Sequence, residues 1–196
     1  MQEPPTACRK LRRFEPALLH RWLQLPPERQ GLVEECGGEP ERLLWRLRQS
    51  ELLPEAVRML AYALPEREAV WWSCMCVRHA APSLPDAERC AVEAAEAWVR
   101  RPEPAMRHEA ALAASAPGYA APGAWSALGA AWSQRERLLP DLCGGRGAAT
   151  AVARAAAHGG PERATERLRR FIESGVDIGN GGAGRIPDEV APEAAQ

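Results

Sequence analysis

Three residues in the middle of the chain are of types that can ligate a metal ion, and they lie close together in sequence. Cys74, Cys76 and His79 form a Cys-x-Cys-x-x-His run. On an α-helix, residues two apart point about 200° from each other, so Cys74 and Cys76 could not ligate one ion. Cys76 and His79 could supply two ligands, with Cys90 or Cys36 as a third. Zinc sites usually carry two paired motifs, and this chain has one. We therefore predict that the thiols are buried and that the protein binds no metal or cofactor. The alternative is a small metal-binding protein or enzyme that uses Cys76 and His79.

Two further patterns could support chemistry but indicate little. Gly144-Gly145-Arg146-Gly147 precedes an Ala-rich segment, where backbone N–H groups could meet an anion. Its spacing and the missing Lys-Ser/Thr exclude a P-loop, and a flexible turn is the favoured interpretation. His20, His108 and His158 have no Ser, Cys or Asp at catalytic spacing, so no hydrolytic triad and no catalytic residue is predicted.

Tryptophan is the most unusual feature of the composition, with seven copies, two of them adjacent. Neighbouring helical residues point about 100° apart, so one of Trp71 and Trp72 could line a surface. Tryptophan and arginine are enriched where proteins bind one another. The predicted partner-binding residues are this pair and the polar residues at the two ends of the same segment: Arg67, Glu68, Trp71, Trp72, Arg78 and His79.

The segment that positions these residues, Leu64 to Ala81, is predicted to be a helix at the centre of the fold. Between Ala69 and Val77 only Ser73 is polar, so the helix would be apolar on every side. A Pro-Glu pair at its start and an Arg-His pair at its end suit the helix dipole.

The rest of the chain also favours helices. Pro-Glu-Arg occurs four times, beginning at Pro27, Pro40, Pro65 and Pro161, and each copy predicts a helix start. Ala is abundant while Phe, Tyr and β-branched residues are scarce. We predict an all-α, compact single domain over 14–178, a bundle of about seven to nine short helices around the Trp-rich helix. Residues 1–13 are predicted to be a flexible tail and 179–196 a disordered one.

Charge and targeting signals narrow the function further. The 25 basic and 26 acidic residues give a net charge of −1 and are spread along the chain, so a nucleic-acid partner is not predicted. No apolar segment is long enough to span a membrane. The six cysteines come without a secretory signal, which indicates a reducing cytoplasm.

The segment from Tyr62 to Trp72, with Cys76, Arg78 and His79 after it, resembles the signature of an uncharacterised helical protein family of Gram-negative bacteria. The resemblance extends from about Leu53 to Ile178. It implies proximity to type VI secretion genes and supplies no catalytic residues. The expected function is a non-enzymatic cytoplasmic protein-interaction module: an adaptor, chaperone or accessory factor whose partner is a secretion-system component or effector. An immunity protein that neutralises a toxin is a further alternative.

Overall fold

The all-α prediction is confirmed by a computed structural model, which describes residues 9–14, 16–133 and 143–188. These residues form ten α-helices and two 3-10 helices, and none of them lies in a strand. The α-helices are α1 (Pro16–Leu23), α2 (Gly31–Glu35), α3 (Pro40–Gln49), α4 (Leu53–Ala63), α5 (Glu66–Ala80), α6 (Asp86–Arg100), α7 (Pro104–Ala113), α8 (Pro122–Trp132), α9 (Gly144–Ala156) and α10 (Ala164–Gly179). The 3-10 helices span Pro27–Arg29 and Pro161–Arg163.

Proline marks the beginning of most of these helices. It occupies one of the first two positions of α3, α4, α7 and α8, and it is the N-cap residue of α5 and α6. Proline suits these positions because the first helical N–H groups have no intrahelical acceptor. Two Pro-Glu-Arg copies, at Pro27 and Pro161, begin 3-10 helices instead, and the first of these is followed by the short α2.

The last helix continues through a glycine. Glycine often ends a helix, but α10 runs past Gly175 to Gly179. A Cβ atom at Gly175 would lie 2.4 Å from Leu60 Cδ2 and 3.0 Å from Trp72 Cε2. This glycine therefore serves close packing of α10 and not a left-handed C-cap.

The Trp-rich helix α5 lies at the centre of the bundle, as predicted, in contact with α4, α6, α8, α9 and α10. Trp72 is completely buried, and its Nε1 donates a hydrogen bond to the Phe171 carbonyl oxygen at 2.8 Å. Ser73 is also buried, where its hydroxyl contacts Ser126 Oγ at 2.9 Å. The one polar residue of the apolar run is thus satisfied inside the core.

Helices α8 and α9 pack against each other through glycine. A Cβ atom at Gly147 would lie 2.4 Å from the backbone nitrogen of Gly129 and 2.9 Å from the Trp125 carbonyl oxygen. No side chain other than hydrogen fits at such a distance from backbone. The two helix backbones are therefore in direct contact.

The segments at the two ends of the described chain run along the helices. Lys10 N donates to the Gly179 carbonyl oxygen at 2.9 Å and Arg12 N to the Ala63 carbonyl oxygen at 2.8 Å. After α10, Gly184 N donates to Asp177 Oδ2 at 2.7 Å. Most of the predicted tails, 1–8 and 189–196, lies outside the described residues, and the division into tails and one domain stays a prediction.

Candidate functional site

One tryptophan of the adjacent pair reaches the protein surface. The side chain of Trp71 is 38% exposed while Trp72 is 0% exposed. At 100° per residue, Arg67, Met75 and Arg78 lie within about 40° of Trp71 around the helix axis. We call these four residues, Arg67, Trp71, Met75 and Arg78, the α5 surface.

Both arginines of the α5 surface are fixed to α6. Arg67 Nε donates to the Val99 carbonyl oxygen at 2.6 Å. Arg78 makes a bidentate pair with Glu96, with Nε to Oε1 at 2.6 Å and Nη2 to Oε2 at 3.0 Å. The hydrogen bond from Glu96 raises the pKa of Arg78 further above its ordinary value. Because exposed ion pairs add little stability, the main effect of these contacts is to hold the two guanidinium groups beside Trp71.

The other residues predicted to bind a partner have contacts within the fold. Glu68 Oε1 forms an ion pair with Lys10 Nζ at 3.4 Å, which links the N-terminal segment to α5. The His79 ring packs edge-on against Phe171, with ring centroids 5.9 Å apart. Together with the burial of Trp72, these contacts leave Arg67, Trp71 and Arg78 as the predicted residues that share one exposed face.

The cysteines predicted as weak metal ligands are in different environments. Cys76 is fully buried on α5, whereas Cys90 is exposed on α6. Burial raises the pKa of Cys74 to about 12 and that of Cys76 well above its ordinary value. Both thiols are therefore protonated near neutral pH, although a metal ligand must be a thiolate. Among the described residues, no three His, Cys, Asp or Glu side chains are grouped to hold a metal ion.

The glycine-rich segment is the first turn of α9, so the flexible-turn interpretation is wrong. Gly144 begins the helix, and its N–H donates to Glu66 Oε1 at 3.3 Å. A carboxylate of the chain itself thus lies at the positive end of this helix. Glycine is needed at position 147 because α9 approaches α8 too closely for a Cβ there.

A second surface feature is not predicted from the sequence: a groove of about 720 Å³ between α1, α4 and α9. Four arginines and an aromatic pair line it, with small residues of α9 between them. We call it the arginine groove, and its lining residues are Arg21, Trp22, Gln24, Pro54, Arg58, Tyr62, Arg146, Ala149, Thr150, Ala153, Arg154 and Ala157. The Trp22 and Tyr62 rings stack with centroids 4.4 Å apart and an interplanar angle of 15°.

The only sequence signal for this groove is helical spacing within two segments. Pro54, Arg58 and Tyr62 recur every four residues on α4, and Arg146, Thr150 and Arg154 do so on α9. Each pattern predicts a stripe along one helix. Nothing in the spacing indicates that the two stripes, about 90 residues apart, face one groove.

In the part of the chain that the structure describes, no helix is both long and apolar enough to cross a membrane. Residues 43–179, more than half of the 196, match the model of a family of unknown function, DUF6931. Neither a curated protein nor a solved structure matches the chain.

Proposed function

Because the chain belongs to DUF6931, a family with no assigned function, we propose its function from the surface geometry: a non-enzymatic module that binds a partner protein through the α5 surface. The supporting observation is the 38% exposure of Trp71 between two arginines that are hydrogen-bonded to α6. Large aromatic and arginine side chains dominate the binding energy of protein interfaces.

The fixed arginines favour binding because they limit the entropy lost when a partner docks. Immobilising a flexible side chain costs about 0.5–1.5 kcal/mol on binding. The contacts of Arg67 with Val99 and of Arg78 with Glu96 already impose this order. Trp71 itself lies on a helix whose opposite side is buried, so its backbone is rigid as well.

The setting that we propose for this module is the cytoplasm of a bacterium with a type VI secretion system. There it would act as an adaptor, chaperone or accessory factor for a secretion component or effector. The support is the resemblance of the Tyr62 to Trp72 segment, which includes Trp71. An immunity protein would use the same kind of surface, and the identity of the partner separates the two.

Affinity capture tests the proposal. Full-length tagged protein, incubated with native lysate from a type VI-positive bacterium, is expected to retain a secretion component or effector. Since a central tryptophan contributes 2 kcal/mol or more to an interface, we expect Trp71→Ala to weaken binding of that purified partner about thirtyfold. Calorimetry or surface plasmon resonance would measure the change.

Leu112→Ala is the matched control, because Leu112 is an apolar residue on α7 with 59% exposure. It should retain wild-type affinity. The proposal is wrong if Trp71→Ala binds the partner as tightly as the wild type, or if no secretion protein is retained. A toxin as the retained protein would identify an immunity function. Stoichiometric metal in protein purified without a metal-affinity tag would support the metal-binding alternative.

A further inference from the structure

We propose that α10 carries a binding site for an extended segment of a partner protein, and that the chain's own residues 183–188 occupy this site as a displaceable ligand. We call these residues the covering segment. The site, which we call the α10 slot, is formed by Arg170, Ser174, Asp177 and Ile178. Binding of a peptide in this slot does not depend on the function proposed above for the α5 surface.

The covering segment runs along α10 in the direction opposite to the helix. Gly184 lies at Ser174 and Asp177. Four residues later, Asp188 lines the same cavity as Arg167, which precedes Ser174 by two turns of α10. Two turns of helix correspond to about 11 Å, and four extended residues to about 13 Å. The covering segment is therefore an extended chain laid along the helix, the form in which many partner peptides bind.

Two side chains of the α10 slot bind both main-chain groups of one residue. The Ser174 hydroxyl donates to the Gly184 carbonyl oxygen at 2.5 Å, and the Gly184 N–H donates to Asp177 Oδ2 at 2.7 Å. Further along, Arg170 Nη1 donates to the Asp188 carbonyl oxygen at 3.3 Å. Main-chain groups are common to all peptides, so a segment of another protein can make the same three hydrogen bonds.

The α10 slot also selects particular side chains. Gly184 is buried with φ +67°, in the left-handed region that favours glycine. A Cβ atom at this position would lie 2.5 Å from Ile178 Cδ1, so a larger residue would also clash. Two residues later, Ile186 packs against the hydrophobic core. The expected ligand is therefore an extended segment with glycine followed two residues later by isoleucine or another branched aliphatic residue.

The covering segment is held by few contacts, so a partner segment can replace it. Four of its six residues are exposed, and Ile186 is the apolar side chain that packs against the core. Gly181 and Gly182 precede it, and glycine loses more conformational freedom on ordering than any other residue. Segments with few buried apolar contacts open locally at a small fraction of the free energy of global unfolding.

A partner protein is a better replacement than a second copy of this chain. The covering segment is tethered to its own slot, which gives it a high effective concentration there. The same segment from a second copy lacks this tether and competes at a disadvantage. A partner protein can outweigh the tether through additional contacts. Such contacts are available because Arg78 of the α5 surface lines the same cavity as Asp188.

Fluorescence anisotropy with full-length protein tests the proposal. The probe is a labelled peptide with the sequence of residues 181–188, and the control peptide has valine in place of the glycine that corresponds to Gly184. The protein variant Gly184→Val displaces the covering segment, because valine clashes with Ile178. We expect this variant to bind the probe about tenfold more tightly than the wild type does, since the tethered competitor is removed. It should bind the valine peptide about tenfold more weakly than the probe.

Ala183→Val is the matched control, because it enlarges the exposed residue next to Gly184. It should bind the probe as weakly as the wild type. Ser174→Ala, added to Gly184→Val, should weaken probe binding about fivefold because a peptide carbonyl loses its donor. Ser115→Ala in the same background, at an exposed serine bonded to the Leu112 carbonyl oxygen, should have no effect.

Two further measurements accompany the binding assay. Thermal unfolding identifies the variants that fold, and Ile186→Ser, which removes the aliphatic anchor, provides a second way to displace the covering segment. Light scattering compares the molar masses of the wild type and Gly184→Val, which we expect to be equal.

Four results would overturn the inference. The first is that folded Gly184→Val and Ile186→Ser bind the probe no more tightly than the wild type. The second and third are equal binding of the valine peptide and an unchanged affinity after Ser174→Ala. The fourth is a wild-type dimer that Gly184→Val dissociates, because a second copy would then occupy the slot.

Discussion

Helices α5 and α9 both run through the interior of the bundle, but they stabilise it in opposite ways. Helix α5 buries large side chains, with Trp72 at 0% exposure and a hydrogen bond from its indole to the backbone of α10. Helix α9 buries Gly, Ala and a single larger residue, Val152. It nevertheless contacts α4, α5, α8 and α10. Helix α5 stabilises the core by filling it with large side chains, whereas the small side chains of α9 allow neighbouring helices to pack closely against it.

The difference determines which substitutions each helix tolerates. A helix that fills space is damaged when atoms are removed, because a cavity is left. A helix in backbone contact is damaged when atoms are added, because the neighbouring backbone cannot move aside cheaply. Three measurements examine this contrast.

Trp72→Ala is expected to have the largest effect. Removal of a buried tryptophan side chain costs about 3–5 kcal/mol, and the Phe171 carbonyl also loses its hydrogen-bond donor. Urea unfolding followed by circular dichroism measures the loss. Trp71→Ala on the same helix is the control, with an expected cost of about 1 kcal/mol or less. Equal losses for the two variants would contradict the central position of Trp72.

Gly147→Ala is expected to cost about 1–3 kcal/mol although it adds only a methyl group. The new Cβ would lie 2.4 Å from Gly129 N, so α8 and α9 must separate. Gly31→Ala is the control, since a Cβ at Gly31 would find its nearest atom, of a flexible side chain, at 4.0 Å. That variant should be neutral or slightly stabilising because alanine favours helix. A neutral result for Gly147→Ala would show that the helices are not in backbone contact.

Alkaline pH should lower the free energy of unfolding by a smaller amount, and the change should come from α5 and not from α9. Burial raises the pKa of Cys74 from 9.0 to about 12, whereas the buried residues of α9 have no ionisable side chain. Above pH 9 the unfolded thiol loses its proton while the folded one keeps it, so stability falls as pH rises. At pH 10.5 we expect Cys74 to lower the free energy of unfolding by about 2 kcal/mol relative to neutral pH.

Cys74→Ser removes this ionisation and keeps the size of the side chain similar. Its free energy of unfolding, measured under reducing conditions from pH 7 to 10.5, should fall less steeply than that of the wild type. Parallel pH profiles for the two proteins would mean that Cys74 is not protected from ionisation in the fold. Other alkaline titrations are common to both proteins and do not affect the comparison.

The sequence predicts the helices better than it predicts their surfaces. Proline starts and the apolar run from Ala69 to Val77 correctly indicated an all-α fold with α5 at its centre. These signals are local, because a proline or an apolar stretch acts within its own helix. The exposure of Trp71 and burial of Trp72 depend instead on where α6 and α10 lie.

The glycine-rich run and the groove arginines show why close packing and surface grouping could not be predicted from the sequence. A Gly-rich run such as Gly144 to Gly147 is compatible with a turn or with close packing, and only the position of α8 distinguishes the two. The arginines of the groove come from three distant segments, and in sequence they look like scattered surface charge. Their grouping is a property of tertiary packing, which helical periodicity does not encode.

The arginine groove extends beyond the part of the chain that matches the family model. Its α4 and α9 walls fall inside residues 43–179, but Arg21, Trp22 and Gln24 precede the segment that the family model covers. A substitution in α1 can therefore reshape one wall of the groove without changing any residue that matches the family model.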